Sequence, residues 1–141
     1  MTTNGTDDLL RHGCAGELLR RERESDAFVD WLDDRPDTLL VTSTLSEVEL
    51  PRALRRIDPT LLAGAPALLE RLARQEIDDV VRATAAAYAS AELRFLDAIH
   101  LATAQVVIGS RLTAFVTYDG RLLAAATDLS LAVASPGAPT G

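Results

Sequence analysis

Two aspartates are spaced so that they can do chemistry together. Asp97 heads the apolar run Ala98-Ile99-His100-Leu101-Ala102-Thr103-Ala104, and Asp119 follows the strand-like run Leu112-Thr113-Ala114-Phe115-Val116-Thr117. Leu96, Ile99 and the small residues Ala98, Ala102 and Ala104 predict a helix that packs closely on a neighbour. Gly109-Ser110-Arg111 joins that helix to the strand. In an open α/β sheet a helix begins beside the carboxyl ends of the adjacent strands, so both carboxylates are expected at one sheet edge. Such a pair is either a divalent-cation site or two caps. Taken singly, Asp97 reads equally well as an N-cap that bonds the first helical amides, and Asp119-Gly120 reads first as a turn.

The combination is more specific than its parts. Hard cations take oxygen ligands, and Mg²⁺ is held by one or two carboxylates together with waters and substrate phosphate. Carboxylates gathered without a cation repel and raise each other's pKa. A bound cation offsets that repulsion, activates water and stabilises charge on a phosphate oxygen. Glu47 and Glu49 lie on a helix predicted over 44–57. Its apolar positions Val48, Leu50, Leu54 and Ile57 form a ragged face, so periodicity does not choose between the two glutamates, and solvent exposure is the ordinary reading for each.

Other reactive side chains take plainer readings. His100 lies three residues after Asp97 on the same helix and reads as a half-buried histidine hydrogen-bonded within the fold rather than as a general base. Cys14 is the single cysteine, so an internal disulfide and a cysteine-cluster metal site are excluded, and a reducing cytosol is expected. Phe28 and Trp31 read as core. Arg52, Arg55 and Arg56 are the candidates for phosphate contacts, because arginine forks match phosphate geometry; a solvated helix face explains them equally well.

The elements that must position these residues follow from pattern and punctuation. A helix capped by Ser25 or Asp26 carries Phe28, Val29, Trp31 and Leu32 and ends before Pro36. Thr38 to Thr42 predicts a strand buried on both faces. Ser43 or Thr44 caps the next helix, with a kink expected at Pro51. Asp58-Pro59 starts a helix through Leu72, Ile77 to Val81 a short strand, and Arg82 to Ala91 an Ala-rich helix. After the 112–117 strand come a helix from about Gly120 to Ala126 and a strand near Leu131 to Val133. Asp7-Asp8-Leu9-Leu10 reads as too short for a core strand, and Gly13 and Gly16 break that region further. Alternating strands and helices predict an α/β fold with a mostly parallel sheet.

Length and composition set outer limits. The chain of 141 residues is one domain by size, and its hydrophobic fraction of 48% is ample for a core. No apolar run approaches the ~18 residues of a membrane helix, and the polar, acidic start is no secretory signal. The net charge is −7 and all 14 basic residues are arginine. An acidic protein has no general attraction for nucleic acid, so any work on RNA needs a local basic patch and a bound cation.

From Thr38 to Pro136 the chain resembles PIN-domain proteins of the VapC toxin type. The residues that carry this are Thr42-Ser43-Thr44-Leu45-Ser46-Glu47-Val48-Glu49-Leu50 with Arg52-Ala53-Leu54-Arg55-Arg56, then Leu96-Asp97-Ala98-Ile99-His100-Leu101-Ala102-Thr103-Ala104, then Val116-Thr117-Tyr118-Asp119, and a closing Ala134-Ser135-Pro136. The resemblance implies a three-layer α/β/α sandwich and an endoribonuclease that depends on Mg²⁺ or Mn²⁺. It also implies a cytoplasmic homodimer, neutralised by a VapB-type antitoxin and acting on tRNA or rRNA. Carried over by position, Glu49, Asp97 and Asp119 become catalytic metal-site acids and Thr117 a supporting polar residue.

The resemblance also implies an opening strand that ends in an aspartate near position 11, where Arg11 stands. Asp7 and Asp8 are the nearest acids. Codons for Arg-His-Gly-Cys-Ala-Gly can be written CGA-CAT-GGC-TGT-GCT-GGT, and reading them one nucleotide later gives Asp-Met-Ala-Val-Leu. Residues 1–23 are therefore read as an atypical, frame-shifted or mis-started segment, 24–136 as the PIN-like domain and 137–141 as a flexible tail. The alternative function is an inactive PIN-like protein that binds an antitoxin or dimerises without cleaving RNA.

Overall fold

In the computed structural model of the chain, the structure describes residues 7–10 and 22–138. Strands β1 (Asp7–Leu10), β2 (Leu39–Ser43), β3 (Ala73–Gln75), β4 (Leu112–Val116) and β5 (Val133–Ala134) form one sheet in the order β3-β2-β1-β4-β5. Every adjacent pair is parallel. The helices are α1 (Glu22–Asp33), α2 (Ser46–Ile57), α3 (Ala65–Glu70), α4 (Asp79–Ala87), α5 (Phe95–Ala102) and α6 (Gly120–Asp128).

Strand alternation sorts the core into two layers. Val116 joins Phe28, Leu50, Leu54, Ala65 and Leu72 under α1–α3. Its neighbour Phe115 joins Val41, Leu101, Ala104, Ile108, Leu122 and Ala126 on the opposite face, under α5 and α6. Helices cover both faces of a parallel sheet, which is the expected α/β/α sandwich. Phe28 is buried in the core, and the partly buried Trp31 packs against it with ring centroids 6.3 Å apart and Arg35 over the Trp31 ring.

The opening strand is the main correction. Asp7–Leu10 is the central strand: Leu9 pairs with Val41 on one side and Phe115 on the other. Four residues suffice because hydrogen-bond ladders on both flanks supply what the short pattern lacks. The chain leaves β1 for β2 on one side and reaches β4 on the other, so the sheet has its topological switch point at the carboxyl ends of β1 and β4. Arg11, Cys14 and the glycines at 13 and 16 lie outside the described residues, as do residues 139–141 of the tail.

Smaller corrections have local causes. α2 continues through Pro51 without a break, held by the fully buried Leu50 and Leu54 on either side. Neither Ser43 nor Thr44 caps it; its N-cap is Leu45, with no side-chain cap bond. The helix expected over 58–72 divides into a 3₁₀ turn, Pro59–Gly64, and α3. Pro66 has no N–H to continue the earlier turn. The strand expected at Ile77 to Val81 falls instead at Ala73–Gln75, because Asp78 Oδ1 accepts the Val81 N–H and starts α4. Among the described residues no helix is long and apolar enough to cross a membrane.

Candidate active site

The carboxyl edge of the sheet collects the candidate acids Asp97, Glu49 and Asp119. Asp97 is the third residue of α5, one turn before Leu101 on the stripe that faces the sheet. That stripe buries it to 9% exposure. Arg94 holds the N-cap position of α5 and makes no side-chain cap bond, so Asp97 is not the cap residue. A carboxylate buried in the first turn of a helix gains from the helix dipole.

The structure chooses between the two glutamates. Glu47 faces outward and pairs with Arg74 at 3.0 Å, its side chain 49% exposed. The Glu49 side chain is 10% exposed, and its Oε2 lies 3.1 Å from His100 Nε2. His100 is fully buried, not half-buried as its sequence position suggests, and its Nδ1 lies 3.2 Å from Ser43 Oγ. One histidine thus ties the end of β2, the start of α2 and the sheet-facing side of α5 into one cluster. Val48, counted with the apolar face from sequence, is exposed on α2.

Asp119 sits on the other flank of the edge, directly after β4. Its Oδ1 accepts the N–H groups of Arg121 and Leu122 at 2.9 and 3.0 Å, so it is the N-cap of α6. Thr117, fully buried, accepts the Asp119 N–H on Oγ1 at 3.1 Å and fixes the turn between strand and cap. The Ser135 hydroxyl donates to the Thr117 carbonyl at 2.5 Å. The turn reading of Asp119 is correct for this oxygen, and the cap holds the carboxyl at the edge.

Among the described residues no three acidic, histidine or cysteine side chains close into a metal-binding group. Asp97, Glu49 and Asp119 share the edge without forming such a cage. The donor chemistry nonetheless suits a hard cation. The groups are carboxylate oxygens, two of them largely buried, and Mg²⁺ needs only one or two of these beside water and phosphate. The edge is also rich in oxygen: among the described residues the Thr42 and Ser46 hydroxyls are buried there without a hydrogen-bond partner. Asp7 and Asp8 do not join this edge, since their register with Leu39 and Leu40 places them at the amino end of the sheet.

Arg52, Arg55 and Arg56 are exposed on α2. At 1.5 Å rise per residue Arg52 stands about 4.5 Å along the axis from Glu49 and Arg56 about 10 Å, so along the helix Arg52 is the nearest of the three to Glu49. Ser43 joins this cluster without any local sequence signal for it. It reads from sequence as a cap, and its partner lies far away along the chain on a different helix.

The sequence profile of the PIN domain matches residues 14–128. Ribonuclease VapC35 of Mycobacterium tuberculosis (strain ATCC 25618 / H37Rv) is 58% identical over 123 residues, which cover 86% of this chain and 90% of that protein. Ribonuclease VapC47 of Mycobacterium tuberculosis (strain CDC 1551 / Oshkosh) is 45% identical over 125 residues, 86% of this chain and 91% of that protein. Ribonuclease VapC46 of the H37Rv strain is 38% identical over 120 residues, 85% and 90% of the two chains. No solved structure gives a significant match. With this sheet order, these acids at its carboxyl edge and relatives alike over nearly their whole length, the chain belongs to the PIN-domain family and, within it, to the VapC type.

Proposed function

We infer that this protein is an endoribonuclease, the toxin of a type II toxin–antitoxin pair, which cleaves RNA phosphodiester bonds with the help of a divalent cation. The observation that carries this reading is the buried pair Glu49 and Asp97 on one sheet edge, in a chain 58% identical to a protein named as a ribonuclease. Glu49, Asp97 and Asp119 are the residues that would hold Mg²⁺ or Mn²⁺. When bound, the cation supplies an acidified water and charge neutralisation at phosphate oxygens. The chain's own groups do the rest. Burial keeps water from screening Asp97 and Glu49. The Thr117 turn and the α6 cap orient Asp119. With a net charge of −7 the protein does not draw RNA by its overall field. Arg52 supplies positive charge about one helical turn from Glu49, with Arg55 and Arg56 farther along the same helix.

Its partners in this reading are a VapB-type antitoxin and a tRNA or rRNA substrate, and it works in the cytoplasm as a homodimer. In the same reading residues 1–23 carry a frame-shifted stretch around position 11, and the PIN-like domain over 24–136 takes its central strand, Asp7–Leu10, from that segment. The gene sequence around codon 11 tests that part, and an unambiguous in-frame reading in independent isolates overturns it. The activity is tested by incubating purified protein with a mixed RNA pool in Mg²⁺ or Mn²⁺, then with chelator, beside Asp97→Ala. Cation-dependent cleavage that Asp97→Ala abolishes is the expected result. A folded protein that cleaves nothing under either cation would overturn it and favour the inactive, antitoxin-binding alternative.

A further inference from the structure

We propose that His100 is a positioning residue for Glu49, and that Ser43 fixes the ring tautomer in which it does so. This rests on the reading of Glu49 as a metal ligand. A carboxylate oxygen can only accept, so the 3.1 Å contact to Glu49 Oε2 requires the proton on His100 Nε2. In the neutral ring Nδ1 is then an acceptor, and the Ser43 hydroxyl, 3.2 Å away, is its donor. Both ring nitrogens are thereby committed to side chains from other elements, Ser43 at the end of β2 and Glu49 on α2.

A histidine serving only its own burial needs any acceptor and any donor. Here the acceptor is the one glutamate of α2 that turns inward at the sheet edge. The terminal torsion of a glutamate is soft, so the plane of its carboxylate is poorly fixed by rotamer preference alone. A donor on Oε2 fixes that plane. Because Ser43 and His100 are both fully buried, water does not compete for either bond. Hydrogen-bond partners behind a ligating group tune metal affinity in the same way in other proteins, and losing one weakens binding about 10- to 100-fold.

The test is Mn²⁺ binding to the full-length protein, followed by electron paramagnetic resonance and calorimetry, with the metal-free melting temperature measured for each variant. Glu49→Gln should lose most Mn²⁺ affinity. His100→Leu should weaken it about 10- to 100-fold. His100→Gln, whose amide can still donate to Glu49, should restore most of that loss, and Ser43→Ala should fall between wild type and His100→Leu. The ¹⁵N shifts of the wild-type imidazole should report the Nε2–H tautomer for His100.

The outcomes separate cleanly. If Glu49→Gln binds Mn²⁺ as wild type does, the ligand role of Glu49 falls and the positioning role with it. If Glu49→Gln binds weakly but folded His100→Leu binds as wild type does, the positioning role alone is overturned. Equal losses in His100→Gln and His100→Leu would overturn it too, because the donor would not be what matters. Should His100→Leu fail to fold, an Nδ1–H tautomer in the wild type, or unchanged affinity in Ser43→Ala, would decide against the proposal.

Discussion

The two flanks of the acidic edge are held by different kinds of contact. On the β2 flank, Glu49 is fixed by His100, and His100 by Ser43, so three elements distant in sequence meet in one buried cluster. On the β4 flank, Asp119 is bonded to groups within three residues of itself, Thr117, Arg121 and Leu122, and long-range support comes from a contact of Ser135 with the Thr117 carbonyl. The first arrangement depends on the whole sandwich being assembled, whereas the second is a strand, a turn and a cap that any β–α unit can form. The cluster should therefore be sensitive to distant packing and the cap largely indifferent to it.

The largest effect should come from the core beneath the cluster. Leu101→Ala removes a fully buried side chain one turn from Asp97 on the same stripe, and should cost about 2–5 kcal/mol in denaturant unfolding. If cleavage per folded molecule also falls, the dependence on distant packing is confirmed; unchanged activity would blur the contrast between the flanks. Next, Asp97→Asn and Glu49→Gln should each lower RNA cleavage by at least about 100-fold, the upper end of what losing a supporting group costs, with little change in secondary structure by circular dichroism.

Asp119 separates holding from chemistry. Asp119→Ala removes the cap and should cost about 1 kcal/mol of stability, while Asp119→Asn should keep most of it. Both should lose cleavage if the charge is what matters; full activity in Asp119→Asn would reduce this flank to a cap. Thr117→Val removes one hydrogen bond to the Asp119 N–H and should cost about 1 kcal/mol. The smallest effect belongs to Glu47→Gln, since its pair with Arg74 is half-exposed. At most about 1 kcal/mol and no loss of cleavage are expected.

What could be read from sequence follows the same divide. Asp119 as a turn residue and the helix α6 are legible because such punctuation is local, whereas Thr117 is singled out only by the family resemblance. The α/β class with its mostly parallel sheet is legible from alternating patterns, the three-layer sandwich from the family resemblance, and Asp97 from its place at the head of a small-residue helix. Periodicity does not choose Glu49 over Glu47, since a ragged helix face gives no direction until Leu50 and Leu54 are seen packed below it, and only the family resemblance singles Glu49 out. Ser43 was hidden by its own plausibility as a cap. β1 was hidden because its strand character comes from β2 and β4 rather than from Asp7-Asp8-Leu9-Leu10. Wherever long-range contact overrode local preference, periodicity and punctuation pointed elsewhere.

The position of β1 also bears on the order of assembly. Its two neighbours come from opposite ends of the chain: Leu10 lies beside Val116 as Leu9 lies beside Val41. Such non-local parallel pairing is slow to form, because loop closure must precede the contacts that reward it. A chain made from its amino end carries Glu49 and Ser43 well before His100, Asp97 and β4 exist. A nascent or truncated chain that stops short of Val116 has neither a closed sheet nor an assembled acidic edge. Assembly of the acidic edge is thus deferred until nearly all of the chain has been synthesised.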